Sequence, residues 1–268
     1  MIRLTREVRF GVNDALAPGD ANAYAGRPGL SGAGRFFVLE VCLEGEPDPQ
    51  SGYLINIKAV DDAVRQTAVP LITSAVEQGR FGGGGRLLVR LFDAMRVRFE
   101  GRLLRRLRLR LSPYICLEAV LTELPMVRLC QKFEFSASHR LHNPALSDEQ
   151  NRAVFGKCNN PLGHGHNYEV EVTVIGDCDD SGQVVPVPML ERIVAGKVIE
   201  RLDHKNLNAE VEEFRTLNPS VENIARVIYR LLAGEFRGPA RLERVTVWET
   251  PKTWAEYSEP PVDGPHSR

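Results

Sequence analysis

Apolar and polar positions alternate most regularly in two stretches about 130 residues apart. Gly34-Arg35-Phe36-Phe37-Val38-Leu39-Glu40-Val41-Cys42-Leu43-Glu44-Gly45 lies over Gly165-His166-Asn167-Tyr168-Glu169-Val170-Glu171-Val172-Thr173-Val174-Ile175-Gly176 without a gap. Each reads as a strand with alternating faces, then a turn. Ser51 to Ile55 then matches Ser181 to Val185, and each segment leads into an amphipathic helix, from Ala59 to about Ile72 and from Met189 to about Leu202. A second helical stretch follows in each half (about Arg86 to Phe99, and Val221 to about Phe236), and then a strand, Arg106 to Leu111 and Arg244 to Trp248. Each half also opens with a strand, around Leu4 to Phe10 and Val127 to Phe135. Two strands, two helices and two strands per half predict an α+β fold of two tandem units, each an antiparallel four-stranded sheet with two helices on one face. The expected boundaries are residues 1–123 and 124–258, followed by a Pro-rich, polar tail at 259–268 that reads as disordered. Gly82 to Gly85 reads as a flexible connection, because no Gly-Lys-Ser/Thr follows to make a phosphate loop.

With 268 residues, 43% of them apolar, the chain can bury a core in each half. Lys plus Arg is 34 against 35 for Asp plus Glu, so the net charge of −1 does not advertise a nucleic-acid or anionic-membrane partner. The five cysteines are odd in number and never in CxxC pairs, which argues against a disulfide framework and points to a reducing cytoplasm. Met1 to Glu7 carries no apolar leader, and no apolar run approaches the roughly 18 residues of a membrane span. The chain is read as soluble and unexported.

Candidate chemistry is confined to the second half. His164 and His166 in Gly163-His164-Gly165-His166-Asn167-Tyr168 point to one face of a strand, and His139, in Phe135-Ser136-Ala137-Ser138-His139-Arg140-Leu141, offers a third imidazole from the opening strand. Three nitrogens would leave the fourth tetrahedral position of a zinc ion open for substrate or water. A lone histidine is more often a surface or satisfied core residue, whereas a His-x-His pair between glycines with a further His upstream favours a metal. Cys158, in a loop of Gly, Asn and Pro beside Lys157, is a candidate general base, the alternative being a buried apolar thiol. Asp203 and His204, adjacent after the long helix, form either a proton relay or a helix-ending charged turn.

These segments, with Gly156-Lys157-Cys158-Asn159-Asn160, Leu202-Asp203-His204-Lys205-Asn206-Leu207-Asn208, Glu222-Asn223-Ile224-Ala225 and Glu249-Thr250-Pro251, follow in an order that resembles the 6-pyruvoyltetrahydropterin and 6-carboxytetrahydropterin synthase family. The resemblance spans nearly all of residues 126–257. It implies a tunnelling fold and a zinc-dependent lyase acting on 7,8-dihydroneopterin triphosphate. His139, His164 and His166 would hold zinc, Cys158 would take the proton, Asp203 and His204 would shuttle protons, and Glu249 would grip the pterin ring. Ser220 stands where the family often has Thr and keeps its hydroxyl, whereas Pro186-Val187 replaces the usual Asp-Phe. Five residues separate Cys158 from His164, a spacing that resembles the pyruvoyl-forming enzymes. The alternatives are a 6-carboxytetrahydropterin product, feeding queuosine or deazapurine synthesis, and a non-catalytic metal- or pterin-binding protein.

In the first half, Ala33 and Arg35 stand against His164 and His166, Asp14 lies near the counterpart of His139, Leu111 stands against Glu249, and Cys158 has no counterpart. That half is expected to be a degenerate, non-catalytic copy. The family further implies a homo-oligomer with active sites between neighbours. Arg102, Arg105, Arg106, Arg108 and Arg110 are a candidate triphosphate surface, although one solvated strand face is the favoured reading. A nucleic-acid surface lacks the interleaved aromatics it would need.

Overall fold

The computed structural model describes residues 1–13, 26–29, 34–99, 101–236 and 238–259. Asp14, Ala33 and the tail after residue 259 lie outside the described residues. The chain forms two compact units, residues 1–130 with 175–186, and residues 131–174 with 187–268.

In the first unit β1 (Ile2–Val12), β2 (Arg35–Gly45), β3 (Leu103–Arg110) and β4 (Ile115–Val120) pair in chain order, antiparallel throughout. Between β2 and β3 run α1 (Ile57–Ala63), a π-helical turn (Val64–Ala68), α2 (Val69–Glu77) and α3 (Gly85–Arg96). The side chain of Asn56 accepts the Lys58 N–H and caps α1, satisfying one of the donors a helix start leaves orphaned. Side chains alternate along β2, and both faces of most of the strand are buried. Leu39, Val41 and Leu43 belong to the apolar core with Ile72, Leu88, Leu91, Phe92 and Met95 of the helices, while Glu40 and Glu44 lie on the opposite face.

That opposite face accounts for the row of arginines on β3. Glu40 sits opposite Arg108 in the register, with Arg106 and Arg110 diagonal to it; it pairs with Arg106 at 3.5 Å and, more tightly, with Arg110. Arg106 also reaches Glu118 (3.5 Å), Arg110 reaches Glu7 (3.2 Å), and Arg105 reaches Glu44 (3.4 Å). Arg102 donates to the Leu54 carbonyl and Arg108 to Cys116 Sγ. The face is thus a cross-strand lattice of opposite charges rather than a free basic strip or a merely solvated one.

The four glycines at 82–85 are a seat rather than a flexible connection. The Gly83 and Gly85 N–H groups donate to the carbonyls of Ser181 and Gly182, both at 2.9 Å. A Cβ on Gly83 would stand 2.2 Å from Gln183 Cγ, and one on Gly85 would stand 2.3 Å from Cys178 Sγ. Glycine is needed here because another segment of backbone lies against it.

The second unit is built from most of β5 (Val127–His139), α4 (Asp148–Phe155), most of β6 (His164–Gly176), α5 (Val187–Val194), a π-helical turn (Ala195–Ile199), α6 (Glu200–Leu202), β7 (Lys205–Asn206), α7 (Leu207–Glu210), α8 (Val221–Leu232), β8 (Arg241–Thr250) and β9 (Thr253–Tyr257). The sheet order is β5-β6-β8-β9, and β7 adds to β5 in parallel. Helix α8 buries Val221, Ile224, Ala225, Val227, Ile228, Tyr229 and Leu232, which recur at helical spacing and close the core over Val245 and Val247 of β8. Helix α4 starts on a capping box formed by Ser147 and Gln150. No helix among the described residues is long and apolar enough to cross a membrane, and all five cysteines are free thiols.

Candidate metal centre and its flanking clefts

Strand periodicity assembles the centre. His164, His166 and Tyr168 occupy alternate positions on β6, so their side chains share one face. His139, the last residue of β5, meets them, and Glu249 near the end of β8 completes the group. One ligand atom from each of His139, His164, His166 and Glu249 lies within 4.8 Å of all the others. His139 Nε2 is 3.1 Å from His164 Nε2 and 3.2 Å from Glu249 Oε1, and His166 Nε2 is also 3.2 Å from Glu249 Oε1.

The surroundings orient these groups for a cation. His139 is fully buried, and its Nδ1 lies 2.7 Å from the Pro219 carbonyl. A carbonyl only accepts, so Nδ1 carries a proton and Nε2 is the atom turned to the cluster. Tyr168, also fully buried and stacked on Phe135 at 4.9 Å, brings its hydroxyl to 3.4 Å from His139 Nδ1. Burial pushes the Tyr168 phenol well above its ordinary range, so it stays neutral. Burial likewise lowers His164 and His166, which keeps both imidazoles neutral and able to ligate. Its contact with His139, and to a lesser extent those with His166 and His164, holds the Glu249 carboxyl below its usual value against the opposing effect of burial. His164 Nδ1 and His166 Nε2 are buried without a hydrogen-bond partner.

A metal fits this set. In a tetrahedral zinc site with bonds of about 2.0–2.1 Å, neighbouring donor atoms stand about 3.3 Å apart, close to the 3.1 and 3.2 Å separations here. Three imidazole nitrogens are a donor set of the kind catalytic zinc takes, and they leave a fourth position beside Glu249. The hydrogen bond from His139 Nδ1 to a carbonyl is the outer-shell contact that ligating histidines commonly make.

The remaining candidates flank the centre on two sides. Asp203 and His204 form a turn clamped to β5: the Ser136 N–H donates to Asp203 Oδ1 (2.8 Å) and the His204 N–H donates to the Ser136 carbonyl (2.6 Å). The Ser136 N–H contact first, and then the 2.8 Å contact with His204 Nδ1, hold the Asp203 carboxyl below its usual value. His204 has φ 57°, unique among the described non-glycine residues in being positive, and its side chain is 83% exposed. An exposed side chain on a strained backbone points to use rather than packing. It shares a groove of about 570 Å³ with His166, Asn167, Lys205 and Glu210.

Cys158 lies in a 3-10 turn (Gly156–Asn159), part-exposed, and lines a separate cleft of about 1020 Å³ with His164, Arg140, Arg152 and Lys157. The same chain therefore presents Cys158 beside His164 and His204 beside His166, in different recesses. Ser220 is the N-cap of α8 without a side-chain capping bond, leaving its hydroxyl uncommitted, and it follows the Pro219 carbonyl that orients His139.

Sequence reasoning missed Pro219, Tyr168 and the amide network around Arg140. Tyr168 was legible as the next same-face position after His164 and His166. Pro219 acts through its carbonyl, which leaves no mark in sequence. Asn208 accepts from the Arg140 N–H (2.7 Å) and donates back to its carbonyl (3.0 Å), while Asn159 receives the Arg140 Nε–H through its own carbonyl at 3.2 Å.

Residues 128–260 match the family model described as 6-pyruvoyl tetrahydropterin synthase. The chain is 42% identical over 146 residues to a 6-pyruvoyl tetrahydrobiopterin synthase of Drosophila melanogaster, covering 54% of this chain and 87% of that one. The corresponding human protein is 40% identical over 131 residues, 48% of this chain and 90% of its own length. A putative 6-carboxy-5,6,7,8-tetrahydropterin synthase of Archaeoglobus fulgidus is 37% identical over 93 residues, 35% of this chain and 73% of that protein.

Proposed function

Because the chain belongs to the 6-pyruvoyl tetrahydropterin synthase family, we propose that residues 124–258 form a zinc-dependent lyase that converts 7,8-dihydroneopterin triphosphate to 6-pyruvoyltetrahydropterin and triphosphate. The observation that carries the reading is the group of His139, His164, His166 and Glu249, four donors within 4.8 Å of one another on three strands.

His139, His164 and His166 would hold the zinc, which when bound polarises the hydroxyls of the substrate side chain and acidifies the neighbouring C–H bonds. Cys158, in the cleft it shares with His164, takes a proton from the side chain. Asp203 keeps His204 oriented through the 2.8 Å contact to Nδ1, leaving Nε2 to move protons on the opposite side, where the groove reaches His166. Glu249, an ionised carboxylate, accepts two N–H groups of the pterin ring in a bidentate contact, and the Ser220 hydroxyl offers a further hydrogen bond to it. The net reaction is an internal redox rearrangement with loss of triphosphate, so no external oxidant or reductant enters.

The same constellation could deliver a 6-carboxy product. The five residues between Cys158 and His164, together with the names of the relatives, favour the pyruvoyl product. Mass analysis of the pterin decides it: a 6-carboxy product accompanied by acetaldehyde would select the alternative.

Residues 1–123 are proposed to be a non-catalytic copy of the same unit. What supports a duplication is the gapless match of β2 to β6 and a π-helical turn at the same place in each half, starting at Val64 and Ala195, 131 residues apart (195 − 64). Arg35 and Leu111 stand where the catalytic half has His166 and Glu249, which removes the chemistry while keeping the pattern. The assembly is proposed to be a homo-oligomer, with the groove bearing His204 and the cleft bearing Cys158 facing neighbouring chains.

A further inference from the structure

We infer that the cleft formed by Arg140, Arg152 and Lys157 beside Cys158 is the seat of the substrate's triphosphate. This rests on the proposed reaction and adds which side chains carry its polyphosphate end. The cleft holds about 1020 Å³ and is lined by these three cations, Asp148, Cys158 and His164, so three positive groups face one carboxylate. Arg152 on α4 and Lys157 on the following turn are exposed, and among the described residues neither is paired with a carboxylate. Among the described residues Arg140 has no carboxylate partner: Nε donates to the Asn159 carbonyl (3.2 Å), and Nη2 lies 3.3 Å from His142 Nδ1 and 3.5 Å from Asn159 Oδ1. Its charge is therefore positioned but uncompensated.

The contrast with the β3 arginines is decisive. Arg105, Arg106 and Arg110 face Glu7, Glu40, Glu44 and Glu118 and have no charge left for a ligand. The cleft keeps a net positive charge and is lined by Cys158 and His164. A substrate whose C6 side chain reaches His164 and Cys158 would carry its leaving group onward into these cations. There they hold the polyanion by charge-assisted hydrogen bonds, away from the reacting carbons.

The test uses the full, zinc-loaded chain. The variants are Arg152→Glu with Lys157→Glu, both exposed and free of structural bonds, and Asp148→Asn as the opposite perturbation. The ligands are 7,8-dihydroneopterin triphosphate for kinetics and inorganic tripolyphosphate for direct binding by calorimetry, with zinc content measured afterwards. The double reversal should raise KM and the tripolyphosphate Kd about tenfold or more while kcat stays within about threefold, since binding away from the reacting carbons acts mainly on KM. Asp148→Asn should lower both constants. The effect should shrink as salt rises, because the charges are exposed. A change of less than about threefold in both constants for the double variant, or a fall in kcat alone, would overturn the assignment. If the wild-type protein turned over no substrate, the proposed reaction would fall, and the tripolyphosphate comparison would still decide the cleft.

Discussion

Replacing His204 by glycine should separate chemistry from folding. His204 is held at φ 57°, where a non-glycine residue is disfavoured by about 1–2 kcal/mol. Glycine removes that penalty but adds about 0.5–1 kcal/mol of chain entropy to be lost on folding. The substitution also loses the 2.8 Å contact between His204 Nδ1 and Asp203, a solvent-screened pair with the imidazole 83% exposed, which contributes little. The backbone bond from the His204 N–H to the Ser136 carbonyl survives any side chain. These terms nearly cancel, so stability should stay within about 1 kcal/mol of wild type, or about 2–4 °C in Tm for a chain this size. Turnover should fall by about 10²–10⁴, the usual contribution of a positioned proton-transfer group. Thermal unfolding and triphosphate release on one preparation test both halves of the argument. Activity within about threefold of wild type would refute the catalytic role, and a loss of several kcal/mol would show that His204 is held for structure instead.

His164→Ala should lose bound metal and activity together, and full metal content in that variant would overturn the ligand assignment. In metal-free protein, burial has lowered His164 and His166, so the unfolded chain binds more protons than the folded one just below the ordinary histidine value. Folding stability should therefore fall as pH drops through about 6.5 and continue falling until the depressed folded values are passed, with a slope of at most about 2.7 kcal/mol per pH unit for two protons. Urea midpoints of chelator-treated wild type should fall more steeply between pH 8 and 5 than those of His164→Ala, and parallel curves would contradict the shift. Gly85→Ala should destabilise by about 1–3 kcal/mol, because its Cβ would lie 2.3 Å from Cys178 Sγ, and Cys178→Ala should restore part of the loss. Cys158→Ala should keep its metal and abolish turnover; unchanged turnover would favour a binding protein.

Much of the fold was legible because periodicity survives burial. The strand expected over 165–176 is β6 at His164–Gly176, and the helix expected from Val221 is α8, ending at Leu232. Two kinds of feature were not legible. The π-helical turns at Val64–Ala68 and Ala195–Ile199 carry one extra residue per turn, a local change that averages away in a 3.6-residue pattern. The addition of β7 to β5, which clamps Asp203 and His204 beside Ser136, is a pairing of residues 68 apart in the chain and depends on tertiary structure alone. Helix α4 was overlooked although Ser147 and Gln150 spelled out its capping box, because its apolar periodicity is weak. The three histidines were found through their spacing, and the resemblance supplied a role for Glu249. Its position 3.2 Å from two imidazoles follows from the register of β8, which the sequence does not print.

The most direct test titrates zinc into metal-free protein and follows triphosphate release from 7,8-dihydroneopterin triphosphate alongside metal content per chain. Release should be absent without metal, rise in proportion to bound zinc and level off at one ion per chain, with 6-pyruvoyltetrahydropterin as the product. Turnover by metal-free protein, or fully loaded protein that releases no triphosphate, would contradict the account.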